Sequence, residues 1–131
     1  MKLFQAQILT PDGTVFDGQA ESIRMPGVEG DFQVLINHAN LMASLEIGPV
    51  TLVDSFGKTH KYAISGGVVD VNSNVVSLFA EAAEHADGIN IERARASKER
   101  SEQRIKDTSM DQLRAEISLR RAINRLRVAG H

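Results

Sequence analysis

The hydrophobic pattern of this chain changes once along its length, from the period of a β-strand to the period of an α-helix. Residues 2–79 contain short β-favouring stretches separated by turn signals, which is typical of a sandwich or barrel. After Phe79 the alternation ends, and good helix formers (Ala, Glu, Arg and Lys) predominate. The 131 residues, 42% of them hydrophobic, suit one core with a helical appendage better than two independent cores.

We therefore predict an α+β fold, in which an N-terminal antiparallel β-sandwich (residues 1–85) precedes a C-terminal antiparallel two-helix hairpin (residues 89–131). The connections between strands are too short for helical crossovers, which favours antiparallel pairing. In the first strand Phe4, Ala6 and Ile8 share one face by the period of two. The predicted strands are 3–9, 14–16, 20–25, 50–53, 60–64, 68–71 and 75–79, with turns at 10–13, 65–67 and 72–74.

Two helices are predicted in the last third of the chain. The first covers residues 89–106 with Asn90 as its cap, and the second covers residues 110–128 with a capping box formed by Ser109 and Gln112. The first helix offers few large apolar side chains, so we expect a weakly held hairpin that can open or extend. An apolar stripe on the second helix comprises Leu113, Ile117, Leu119, Ala122, Ile123 and Leu126.

Charge is divided unequally between the two parts. Residues 1–88 carry 4 basic and 11 acidic side chains, a net charge of −7, whereas residues 89–131 carry 11 basic and 6 acidic ones, a net charge of +5. A basic segment of this kind often meets an acidic surface or a polyanion through attraction that salt weakens. The plainer alternative is an ordinary solvated helix face.

Motifs for chemistry are missing from the sequence. There is no cysteine, so a thiolate metal site and a cysteine nucleophile are excluded. The four histidines, His38, His60, His85 and His131, lack metal-ligand spacing, and no nucleophile elbow or phosphate-binding loop is present. No apolar run approaches the roughly 20 residues that span a bilayer. We expect a non-catalytic chain without a metal site, whose membrane association is through a partner.

Four segments together resemble one known family. They are residues 25–39 (MPGVEGDFQVLINHA), 62–71 (YAISGGVVDV), 89–94 (INIERA) and 119–126 (LRRAINRL). In order and spacing they are similar to the epsilon subunit of bacterial F-type ATP synthase, nearly from end to end. The order of several separate motifs is far more specific than any one of them.

The resemblance implies a central-stalk rotor subunit that couples the c-ring and gamma to the catalytic alpha/beta hexamer. In that family the sandwich binds the gamma subunit and the c-ring, and the hairpin is either compact or extended into the hexamer, where it inhibits ATP hydrolysis. The expected location is the cytoplasmic face of the bacterial plasma membrane, as a peripheral protein with no membrane span and no nucleic-acid partner. Inhibitory docking on an acidic loop of the hexamer is expected from Arg114, Arg120, Arg121, Arg125 and Arg127.

Some bacterial relatives also bind ATP on the compact hairpin, through a motif of an aliphatic residue, Asp, two variable residues, Arg and Ala. Here the motif is INIERA, residues 89–94, with Asn in place of Asp. The resemblance implies no required cofactor, with ATP as a regulatory ligand, so an ATP-sensing binding module is the alternative function. Another reading leaves Arg93 facing solvent. The implied ATP pocket comprises Glu84, Ile89, Asn90, Arg93, Arg121 and Arg125.

Overall fold

Seven strands and two helices follow one another in the structure, a computed structural model that describes residues 2–106 and 111–130. The strands precede the helices, which confirms the predicted fold class. A single 3₁₀ turn, Ala86–Gly88, connects the last strand to the helical region. The strands are β1 (Phe4–Thr10), β2 (Gly13–Gly27), β3 (Gly30–Val34), β4 (Leu41–Asp54), β5 (Thr59–Asn72), β6 (Val75–Ala80) and β7 (Ala83–His85); the helices are α1 (Ile91–Lys106) and α2 (Gln112–Val128).

The sheet closes on itself. Its strand order is β1-β6-β5-β4-β2-β3, β1 also pairs with β2, and β7 pairs with β5 beside β6. All pairs are antiparallel among the described residues except β1 with β6, which run parallel with Gln5 opposite Val75. The sandwich is therefore mostly antiparallel, as predicted, with one parallel pair of strands. The argument from short connections holds for neighbours in sequence, whereas β1 and β6 are joined by the rest of the sandwich, which serves as their crossover.

The strands are longer than the sequence predicts. β2 joins two predicted strands, β4 has 14 residues where only 50–53 were expected, and β3 was not predicted at all. The predicted turn at 65–67 is wrong, because β5 continues through it. Gly67 has φ +155°, and a Cβ there would lie 2.1 Å from the Phe79 carbonyl oxygen of β6. This glycine allows two backbones to approach closely and does not reverse the chain.

The core lies inside the closed sheet. Phe4, Ala6 and Ile8 are all buried there, as the alternation in β1 predicts. Tyr62 is the largest fully buried side chain in the described part of the chain. Most of the remaining core residues are aliphatic: Ala20, Ile23, Met25, Val34, Leu45, Val50, Leu52, Ile64, Val69, Val71, Val76, Leu78 and Ala80.

Both helices have polar caps. The Asn90 Oδ1 accepts the Arg93 amide N–H at 3.0 Å, which confirms the predicted cap of α1. The predicted capping residue Ser109 lies outside the described residues. Asp111 caps α2 instead, since its Oδ1 accepts the Arg114 amide N–H at 3.1 Å.

The buried face of α2 differs from the predicted stripe. Ala122 and Leu126 are buried, but Leu113 is 67% exposed and Ile123 is 38% exposed. The stripe was drawn from hydrophobicity alone, whereas the observed buried face also contains an amide and an alanine from outside the stripe. The buried residues of α2 are Ala115, Ala122, Asn124, Leu126 and Val128.

The close approach of β5 to β6 predicts a large effect of one methyl group. Gly67→Ala should reduce the free energy of unfolding by roughly 2–4 kcal/mol, because the added Cβ meets backbone and the φ angle disfavours alanine. Gly18→Ala is the control, since a Cβ there makes only an ordinary 3.5 Å contact with the Phe16 ring. Chemical denaturation of both variants measures the difference. Equal stabilities would contradict this account of the β5–β6 contact.

Candidate functional site

The hairpin docks on the sandwich through α2, which contacts β4 and β5. Part of this contact is a small apolar cluster of Ala63, Ile89 and Val128, with Ala86 and Ala129 packed beside it. These side chains are mostly small, so they remove little apolar surface from water. The contact between α1 and α2 is similar in kind, because the buried residues of α1 are only an alanine and a serine.

One amide from α2 reaches the sheet. Asn124 is 5% exposed, and its Nδ2 donates to the Gly48 carbonyl oxygen at 2.9 Å and to the Ile64 carbonyl oxygen at 3.3 Å. Gly48 and Ile64 face each other in the pairing of β4 with β5. The amide therefore joins the helix to two neighbouring strands at one point.

A cavity of about 260 Å³ opens beside this contact, between the start of α1, the end of β7 and α2. Its walls contain five of the six residues of the expected ATP pocket. Arg121 is the exception, because it is exposed and does not line the cavity. The five expected residues that line it are Glu84, Ile89, Asn90, Arg93 and Arg125.

Sequence reasoning missed four residues of this cavity: Gly88, Ala94, Ser97 and Arg100. Arg93, Ser97 and Arg100 are spaced i, i+4 and i+7, so they share one face of α1. The same spacing can be recognised in the sequence. Once Arg93 is assigned to a site, it predicts that Ser97 and Arg100 lie on the same face.

The cavity is predominantly cationic. Three guanidinium groups, from Arg93, Arg100 and Arg125, line it with a single carboxylate, that of Glu84. The Glu84 Oε1 accepts the Arg125 Nε–H at 2.6 Å, and both side chains are partly exposed. The N-terminus of α1 adds partial positive charge at Asn90. This arrangement suits a ligand with several anionic oxygens, such as a polyphosphate.

The five arginines expected to dock on the hexamer divide into two groups. Arg114, Arg121 and Arg127 are exposed. Arg120 is exposed as well but lies 3.8 Å from the Glu46 carboxylate on β4, and the partly buried Arg125 contacts Glu84 as described. The sandwich thus already holds two of these cations with its own carboxylates.

A polar cluster links the β4–β5 turn to β7. The His60 Nε2–H donates to the Asp54 Oδ2 at 2.8 Å, and the His60 Nδ1 lies 3.3 Å from the His85 Nε2. The hydrogen bond from His60 is the main reason that the pKa of the Asp54 carboxyl lies below its ordinary value. Burial raises the pKa of Tyr62, whose ring packs edge-on against His85. The cluster orders the strand from which the 3₁₀ turn leads to α1.

A second surface is exposed on β4, β5 and β6 of the sandwich. We define the apolar patch as Met42, Val68 and Phe79, which are 74%, 40% and 50% exposed. A cavity of about 600 Å³ adjoins it, lined in part by Leu9 and Pro11. Exposed apolar surface of this kind marks a site for another protein.

Two further properties concern the described residues only. Within 2–106 and 111–130 no group of three or more His, Asp and Glu side chains is arranged to hold a metal ion. Neither described helix combines the length and the apolar character needed to cross a bilayer.

Comparison with protein families gives two adjacent matches. Residues 3–86 match the β-sandwich domain of the ATP synthase delta/epsilon chain. Residues 87–130 match the long α-helix domain of the same chain. Together the two matches cover almost the entire sequence.

Curated relatives match over the same length. The ATP synthase epsilon chain of Shouchella clausii is 42% identical over 131 residues, which cover 100% of this chain and 98% of the relative. The epsilon chain of Bacillus pumilus is 40% identical, with 99% of each chain covered. The epsilon chain of Nitratidesulfovibrio vulgaris is also 40% identical, over 99% of this chain and 98% of the relative.

Solved structures share the fold. A chain of the mitochondrial ATP synthase of Euglena gracilis, from an OSCP/F1/c-ring assembly, superposes with a TM-score of 0.87 at 23% identity. It covers 100% of this chain and 83% of that one. A chain from the central stalk and c-ring of the Tetrahymena thermophila enzyme gives a TM-score of 0.56 at 15% identity, over 95% and 92% of the two chains.

The ion pair between β7 and α2 predicts a small, salt-sensitive coupling. A double-mutant cycle on Glu84→Ala and Arg125→Ala should give about 0.5–1 kcal/mol at low salt, because both side chains are partly exposed. The same cycle on Glu46 and Arg120, whose charged atoms are 3.8 Å apart and more exposed, should give less than about 0.5 kcal/mol. Thermal denaturation measures both. A coupling that does not fall in 1 M salt would contradict an electrostatic origin.

Proposed function

The chain belongs to the delta/epsilon chain family of ATP synthase, and we propose that it works as a non-catalytic subunit of the rotor. In this role the sandwich binds gamma and the c-ring, which couples them to the catalytic alpha/beta hexamer. The subunit is peripheral, on the cytoplasmic face of the bacterial plasma membrane. The hairpin is a regulatory arm that inhibits ATP hydrolysis when it extends into the hexamer.

The apolar patch supports docking of the sandwich on another rotor subunit. Met42 and Phe79 expose large apolar side chains on β4 and β6. The patch residues differ from Glu46, Gly48 and Ile64, which α2 contacts, so the sandwich can bind a partner while the hairpin is either docked or released. A stable rotor requires this independence, because the arm changes position while the base stays attached.

The inhibitory proposal rests on one observation: the strongly basic helix α2 docks on the sandwich through a weakly apolar interface. α2 contacts the sandwich mainly through small side chains and one amide. Its ion pairs to Glu46 and Glu84 are partly exposed, so each contributes about 1 kcal/mol or less. A hexamer surface that offers several carboxylates and a larger apolar contact can therefore outcompete the sandwich. The hairpin then shifts to the extended state by differential affinity.

A second candidate function, ATP sensing, rests on the cationic cavity. Its three arginines come from both helices, and its carboxylate comes from β7, so the cavity is complete only while the hairpin is docked. A nucleotide that binds there stabilises the compact state by mass action. In this second function Arg93, Arg100 and Arg125 would contact phosphate oxygens, and Asn90 caps α1 beside the cavity. Arg121 would join only by moving from its exposed position.

Inhibition is tested by adding the purified chain to a catalytic complex that lacks it. We expect turnover of ATP to fall severalfold. The triple variant Arg114→Glu, Arg121→Glu and Arg127→Glu should lose most of this inhibition and still bind the complex, because it reverses only exposed charges of α2. Turnover and co-purification provide the two measurements.

The matched control for this test makes the same change of charge on the sandwich. Lys2→Glu, Lys58→Glu and Lys61→Glu alter three exposed cations that lie outside the hairpin. Inhibition should survive in this control. If the α2 variant inhibits as strongly as the wild type, electrostatic docking of the arm is wrong and a steric wedge is the better account.

ATP sensing is tested by calorimetry of the full chain. ATP should bind without being hydrolysed, and Arg93→Ala and Arg100→Ala should each weaken binding by about tenfold or more through the loss of charge-assisted bonds. Arg104→Ala is the control, since Arg104 is an exposed residue of α1 outside the cavity. Absence of heat with the wild type would refute the sensor, and release of ADP would contradict the non-catalytic assignment.

A further inference from the structure

Asn124 is the polar side chain through which the docked helix α2 bonds to the sheet backbone. It is 5% exposed, and its Nδ2 contacts the Gly48 and Ile64 carbonyl oxygens. Both partners are acceptors only, so the amino end of the amide must face the sheet. The reversed orientation would place the Asn124 Oδ1 against two carbonyl oxygens.

The strand pairing is irregular next to this point. The pairing of β2 with β4 shifts register, since Arg24 is opposite Thr51 but Gly27 is opposite Leu45. Gly48 lies within the stretch of β4 that this shift passes over, and a Cβ there would lie 2.6 Å from the Pro26 Cβ. The Gly48 carbonyl oxygen also accepts a bond from α2.

Docking is therefore favoured by a donor at one position of α2. When the helix covers the Gly48 and Ile64 carbonyl oxygens, water is removed from them, and an apolar side chain would leave them only the bonds that they make within the sheet. A shift of α2 by one turn would bring Arg120 or Val128 to this position. Valine has no donor, and arginine would bring a charged guanidinium to a place where Asn124 is only 5% exposed, which costs free energy.

We infer that Asn124 is the positioning residue that selects the docked register of the hairpin and stabilises its compact state. The Asn124 Oδ1 is buried without a hydrogen-bond partner among the described residues, so the amide stabilises docking through its donors alone. When α2 leaves, water satisfies the amide and both carbonyl oxygens. The contact is thus specific in the docked state, and bonds to water replace it in the undocked state.

The test uses the full chain and two variants of nearly the same size as the wild type. Asn124→Asp removes the donor and sets a carboxylate against two carbonyl oxygens, and Asn124→Leu removes the donor without adding charge. Because the chain has no cysteine, spin labels can be attached at Phe56→Cys and Glu116→Cys alone. Phe56 is 93% exposed in the β4–β5 turn, and Glu116 is exposed on α2. Pulsed electron paramagnetic resonance then measures the distance between sandwich and hairpin.

We expect the wild type to show one narrow distance distribution. Both variants should show a longer and broader one, with at least a tenfold fall in the ratio of docked to undocked molecules. Asn40→Asp is the control, because its Oδ1 accepts the Ser73 amide N–H and a carboxylate can keep that bond. It should leave the distances unchanged. Circular dichroism checks that the sandwich stays folded in each variant.

Either of two results would overturn the inference. One is an unchanged distance in Asn124→Asp, and the other is an Asn124→Leu variant that docks as well as the wild type, which would make the interface merely apolar. A further readout rests on the proposed function: an undocked arm should inhibit ATP hydrolysis more strongly. Longer distances with unchanged inhibition would support the role of Asn124 and contradict the inhibitory role of the arm.

Discussion

The docking of α2 on β4 and β5 is the interaction on which the behaviour of the whole hairpin depends. Its apolar part consists mainly of small side chains such as Ala63 and Val128, and its polar centre is the amide of Asn124. The sandwich does not share this weakness, because its sheet closes on itself around a continuous aliphatic core. Under the proposed function, the molecule combines a stable base with an appendage whose attachment other surfaces can replace.

Charge decides which surfaces can compete for that appendage. The sandwich is acidic overall and the hairpin is basic, yet only two close ion pairs join α2 to the sandwich in the described residues, those of Arg120 with Glu46 and of Arg125 with Glu84. Three other arginines of α2 stay exposed. In the compact state these exposed arginines of α2 thus remain available to bind anionic groups of a partner. A partner with more carboxylates gains those interactions while it gives up little apolar contact.

Much of the fold could be predicted from local pattern, and the misses have a common cause. The buried face of β1, the Asn90 cap and the helical hairpin all follow from residues close in sequence. The parallel pairing of β1 with β6 and the course of β5 through Gly67 depend on contacts distant in sequence. A glycine that admits a neighbouring backbone has the same sequence signal as a glycine in a turn.

The site likewise has residues that the sequence predicts and residues that only tertiary contacts define. Residues of the INIERA motif and Glu84 were predicted together because the resemblance supplied their order, and Arg100 follows from helical spacing. Arg121 does not line the cavity in the docked state, because the rotation of α2 is set by its contact with the sandwich. Asn124 was missed for the same reason. In sequence it is one polar residue between Ile123 and Arg125, and only the sheet carbonyls give it a role.

Asn124 and Arg125 are adjacent, and this adjacency couples the two parts of the site. Asn124 bonds to the sheet, while Arg125 lines the cationic cavity and contacts Glu84. Undocking of α2 breaks both contacts at once, so it also dismantles the cavity. Suppose that an anion binds to Arg93 and Arg125 more tightly when α2 is docked. By linkage, the free energy that docking adds to anion binding equals the free energy that the bound anion adds to docking. Regulation by such a ligand then needs no conformational change beyond the release of α2 itself.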